Sequence, residues 1–70
     1  MLGAELQRAR SEAGLTQEEA AHRAGLDRSY LSQLEHDKKS PTLDTLLPLC
    51  LALGVKASTI VARVERGRSG

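Results

Sequence analysis

Between Thr16 and Glu35 the chain reads TQEEAAHRAGLDRSYLSQLE, and its second half carries side chains suited to reading nucleic-acid edges. At 100° per residue, Asp27, Leu31, Leu34 and Glu35 share one side of a helix, while Ser29, Ser32, Gln33 and His36 lie roughly opposite. Arg28 sits toward the flank in the first turn. Arginine can pair with guanine through two hydrogen bonds and glutamine with adenine, the pairings that major-groove geometry favours. Thr16 and Gln17 open the preceding helix, where free amides and the positive end of the helix dipole suit a phosphate oxygen. Lys38 and Lys39, in the loop beyond, are open to two readings, a plain solvated loop or contacts to the backbone on the other side. Tyr30 is open to two uses, half-buried packing or a hydroxyl on a phosphate.

The other reactive side chains offer less. Cys50 falls in an apolar stripe and reads as a buried structural thiol. His22 and His36 lack partners at metal-ligand spacing, so no metal and no cofactor is expected. Ser, His and Asp are present without a nucleophile elbow or a phosphate-cradling loop, which argues against an enzyme.

To position these residues the chain needs helices. It has 70 residues, enough for one small domain. Twelve leucines, one Tyr and no Phe or Trp make any core aliphatic. Leu2, Leu6, Ala9 and Ala13 recur at helical spacing, and Gly14 ends that helix. Thr16 with Glu19 forms a capping-box pattern. The helix it starts, about 17–24, presents the small residues Ala20, Ala21 and Ala24 for a close approach. Gly25 supplies the turn, Leu26 plugs the corner, and Asp27 caps a third helix to about His36. Thr42 caps a fourth bearing Leu43, Leu46, Leu47, Leu49, Cys50 and Leu53, with Pro48 removing one amide donor inside it. The fifth spans 56 to about 65, starting loosely because Lys56 stands where a capping side chain belongs. Residues 1–66 are expected to form the domain, with 67–70 a flexible tail. Ile60, Val61 and Val64 form an apolar stripe outside the reading face, which serves either as core or, in the part left over, as a candidate pairing surface.

The formal net charge of +1 does not announce a nucleic-acid binder, so any such function rests on where the charges lie. No apolar run approaches the ~20 residues of a membrane span, and no signal peptide is evident, which points to a cytoplasmic protein.

Four blocks, T-Q-E-E-A-A-x-x-A-G-L, S-Y-L-S-Q-L-E, S-P-T-L-D-T-L and L-A-L-G-V, resemble the Cro/repressor-type (XRE-like) helix-turn-helix family. The resemblance runs from about Leu6 to Val61. It implies an all-α, compact five-helix lambda-repressor-like DNA-binding domain with the helix-turn-helix at 17–36. It also implies a transcriptional regulator acting as a homodimer on a pseudo-palindromic operator in double-stranded DNA. Carried over by position, the groove-facing residues are Arg28, Ser29, Ser32 and Gln33, the phosphate residue is Gln17, and Arg10 with Glu35 forms a structural ion pair. The rival reading is an antitoxin-like or adaptor module that grips a protein partner.

Overall fold

The structure, a computed structural model, describes residues 1–68, with the backbone alone at Arg68. Local chemistry sets its elements: α1 (Leu2–Glu12), α2 (Gln17–Ala24), α3 (Arg28–Glu35), α4 (Leu43–Leu53) and α5 (Ala57–Arg68). There is no strand among the described residues, and no single helix is long and apolar enough to cross a membrane.

One device ends four of the five helices. The amides of Leu15, Leu26, Lys38 and Val55 each reach back five residues, to the carbonyls of Arg10, Ala21, Gln33 and Cys50. That six-to-one bond needs a left-handed residue just before it. Gly25, with φ +72°, supplies one between α2 and α3, where a side chain would be strained. After α3 the left-handed residue is Asp37, with φ +56°, the one non-glycine in this conformation among the described residues. The polar loop expected over 37–41 therefore opens on a structured cap.

Helix starts follow the sequence less closely. The Thr16–Glu19 capping box is complete, with Thr16 Oγ1 accepting from the Glu19 amide at 3.1 Å and the Glu19 carboxylate accepting from the Thr16 amide at 2.9 Å. Asp27 and Thr42 stand at the N-cap positions of α3 and α4 but make no side-chain cap bond. Their carbonyls begin the helices, and the Thr42 hydroxyl turns to Thr45 Oγ1 at 3.4 Å. Lys56 likewise opens α5 through its carbonyl, which accepts from Thr59 and Ile60. Helix α4 continues through the exposed Pro48 to Leu53. Helix α5 runs three residues beyond the expected Glu65. Gly67 stays out of the left-handed region, so no cap stops the helix there, and the expected tail loses residues 67 and 68. The remainder of that tail, 69–70, lies outside the described residues.

The core is Leu6 and Ala9 of α1, Ala20 and Ala21 of α2, Leu31 and Leu34 of α3, Leu46, Leu49, Cys50 and Leu53 of α4, and Ile60 of α5. Ile60 is 0% exposed, which removes it from the expected pairing surface: α5 packs on α1 and α4, and Ile60 is the residue it buries between them. Burial also raises the Cys50 thiol pKa and keeps it inert. Helix α2, which buries Ala20 and Ala21, lies against α4, and α1 crosses α3 at Gly3. A Cβ there would fall 2.6 Å from the Leu34 carbonyl oxygen and the Glu35 carbonyl carbon, so only glycine fits. The Gly3 amide donates to Asp37 Oδ1 at 2.9 Å, and this bond, with that of the N-terminal ammonium to Oδ2, holds the Asp37 carboxyl below its ordinary pKa.

Candidate nucleic-acid interface

Helices α2 and α3 carry the interface, joined through the left-handed Gly25. Leu31 and Leu34 fasten α3 to the core, and Leu26 packs against that core from the turn. This leaves Arg28 and Ser29 exposed, and Ser32 and Gln33 half-buried, on the sides that α3 does not bury. His36 turns back, its Nδ1 lying 2.8 Å from the Ser32 carbonyl oxygen.

The angle between the two helices is held by a buried charge. Glu35 Oε2 accepts from Arg10 Nε at 2.7 Å, and Oε1 accepts from Arg10 Nη2 at 3.1 Å, a two-pronged pair that ties α1 to the end of α3. Arg10 Nη1 also donates to the Leu15 carbonyl at 2.9 Å, just before α2 begins. Removing one partner of such a pair costs about 3–5 kcal/mol, because the other charge is left buried and alone.

Gln17 is engaged from the inside. Its Nε2 donates to Glu35 Oε1 at 3.0 Å, a bond the sequence does not announce because it joins residues 18 apart on different helices. Thr16, Gln17, Glu18, Arg10 and Arg28 together line one open depression at the head of α2. The structure thus brings the expected phosphate residues Thr16 and Gln17 beside the expected reader Arg28. Within that turn the capping box takes up the Thr16 and Glu19 amides, leaving those of Gln17 and Glu18 to face outward. The Thr16 backbone amide, followed by its hydroxyl, keeps the Glu19 carboxyl below its ordinary pKa, so Glu19 stays charged at the helix's positive end. Glu18 adds a negative charge to the same depression, and Arg28 offsets it.

On the far side, Lys38 and Lys39 are exposed, and the Lys39 ammonium stands 5.9 Å from the centre of the Tyr30 ring. Tyr30 is half-buried against the core. Asp37, beside the two lysines, is turned toward α1 by its bond to Gly3.

A family model described as helix-turn-helix matches residues 6–60. The chain belongs to the Cro/repressor-type (XRE-like) helix-turn-helix family. Among its relatives is an uncharacterized HTH-type transcriptional regulator, y4dJ, of Sinorhizobium fredii, 44% identical over 65 residues that span 93% of this chain and 84% of that protein. The immunity repressor protein of Bacillus phage phi105 is 42% identical over 86% of this chain, which spans 42% of that longer repressor. The family fold is also seen in the crystal structure of the biofilm master regulator SinR in complex with DNA. That structure matches with a TM-score of 0.82 and 31% identity, covering 87% of this chain and 98% of the SinR chain. XRE-like domains are DNA-binding transcription regulators, and the depression at the head of α2 together with the outer side of α3 forms this chain's candidate interface.

Proposed function

We propose that this XRE-like domain regulates transcription by seating α3 in the major groove of a specific duplex, as a homodimer on a pseudo-palindromic operator. Arg28, Ser29, Ser32 and Gln33 read base edges. Thr16, Gln17, Lys38 and Lys39 hold the phosphates, with Tyr30 beside them. The observation that carries the reading is the placement of Arg28 at the rim of the depression that also holds Thr16 and Gln17. A residue there reaches a base edge while the head of α2 meets the adjoining phosphate, which is how a recognition helix is kept in register. A cytoplasmic location follows from a DNA partner.

Two half-sites require a pairing surface. Of the expected stripe, Val61 remains 44% exposed and Val64 half-buried. Helix α4 adds Leu43, Leu47 and Leu51 at four-residue steps, all exposed, with Leu51 at 83%. Uncharged side chains of this kind suit an isologous contact with a second copy. The same ladder would also serve a module that grips another protein, which keeps the adaptor reading in view.

Selection of bound sites from random duplex DNA tests both. The expected result is an enriched sequence in two inverted halves about 34 Å apart. Its affinity should fall steeply with salt as phosphate contacts release counterions. Recovery of no preferred sequence would overturn the regulator reading in favour of the adaptor.

A further inference from the structure

Glu35 does more than pair with Arg10. It is 4% exposed, and its carboxylate spans three elements: Arg10 of α1, Gln17 of α2 and its own α3. A carboxylate only accepts hydrogen bonds, so Gln17 must present its NH2 group to Glu35, and the opposite amide orientation is excluded. One N–H of that group points to Oε1. The other diverges from it by the planar geometry of the amide, and Gln17 also lines the depression with Thr16 and Arg28. Meanwhile Arg10, itself held by Glu35, fixes the Leu15 carbonyl two residues before Gln17. Backbone and side chain of Gln17 are therefore both secured from within.

We infer that Glu35 is a positioning residue for DNA: its buried carboxylate holds the Gln17 amide with one N–H turned out to a phosphate oxygen. This rests on the reading of Gln17 as a backbone contact. A free glutamine side chain on a helix surface loses several torsions when it binds, which weakens the contact it makes. Here those torsions are set before DNA arrives. The negative charge behind the amide also polarises it, strengthening the outward N–H as a donor.

The test is a cycle that leaves no lone charge buried. Gln17→Ala should weaken binding to the selected duplex roughly tenfold, the worth of one good hydrogen bond to a charged group. Arg10→Met with Glu35→Met removes the pair together, a replacement buried pairs tolerate. It should keep the melting temperature near that of the unaltered protein and weaken binding by most of the same factor. Adding Gln17→Ala to that variant should then cost little more. Losses that multiply, or full affinity without the pair, would overturn the inference. Should the paired replacement fail to fold, the unaltered protein decides through its side-chain amide resonances. Gln17 should give one shifted, slowly exchanging NH2 pair, unlike the exposed Gln7. A Gln17 pair indistinguishable from that of Gln7, in a protein that binds duplex DNA, overturns this inference alone. A protein that binds no duplex overturns the regulator reading with it.

Discussion

Gly3→Ala sets two effects of opposite sign against each other. Alanine is the better helix former, worth up to about 1 kcal/mol in a helix interior and less in the first turn. Against that stands the crossing of α1 over α3. The added Cβ would sit 2.6 Å from Leu34 and Glu35 backbone atoms, where ordinary contact begins near 3.4 Å. Backbone cannot swing aside as a flexible side chain can, so the two helices must part by nearly the whole shortfall. Overpacking of this kind costs about 1–3 kcal/mol. The bond from the Gly3 amide to Asp37 lies at the same crossing and would lengthen as well. The expected net is a loss of about 1–2 kcal/mol, which lowers the melting temperature of a domain this size by roughly 5–15 °C. Thermal unfolding followed by far-ultraviolet circular dichroism reads it directly. Gly67→Ala serves as the control, since that helical glycine faces open space and should melt level with the unaltered protein or slightly above. A Gly3→Ala protein that melts at or above the unaltered one would show that α1 does not cross α3 so closely.

Gly25→Ala meets no neighbour within 4 Å, so its cost is backbone strain alone, about 1–2 kcal/mol, and an unchanged melting temperature would mean the turn does not use a left-handed residue. Arg28→Ala and Gln33→Ala should each weaken specific binding by about 1–3 kcal/mol and relax preference at one base position, whereas loss of a phosphate contact weakens all sequences alike. In sedimentation, Leu47→Asp with Leu51→Asp should shift the protein toward monomer while the fold melts nearly as before, both residues being exposed; an unperturbed dimer would place the interface elsewhere. Asp37 predicts an acid response. Its folded pKa is lowered, so its contribution to stability is complete above the unfolded value near 4 and disappears as pH falls through the lower folded value. The stability gap between the unaltered protein and Asp37→Asn should therefore close in strongly acidic solution, and a gap independent of pH would contradict the clasp.

Most of what punctuates this chain is local, and it is legible for that reason. Thr16 and Glu19 are three residues apart, Gly25 and Gly54 stand one residue past their helices, and the leucine period needs only a few turns to show. What escapes is settled between helices. Gly3 looks like a weak helix former until α3 is laid across it, and Asp37 looks like loop until its carboxylate is found on the Gly3 amide. Ile60 and Val61 have equal claim to a stripe in sequence. Which of them is covered depends on how α5 rotates against α1 and α4, and that rotation buries Ile60. At the interface the types of Arg28, Ser29, Ser32 and Gln33 suffice to nominate a reading face. The resemblance suggests the Arg10–Glu35 pair, but the grip of Glu35 on Gln17 emerges only with α2 and α3 side by side.

Tyr30 is the single aromatic residue in the chain, and it stands on α3 within one turn of Arg28 and Gln33, with Lys39 above its ring. The chain therefore has one intrinsic fluorophore, and it is located on the proposed reading helix. No tryptophan drains its emission by energy transfer, and no second tyrosine dilutes it. Any event that moves Lys39 off the ring, or brings nucleobases near it, alters the whole ultraviolet emission of the molecule. Occupancy of the proposed reading helix can be followed optically in the unlabelled protein.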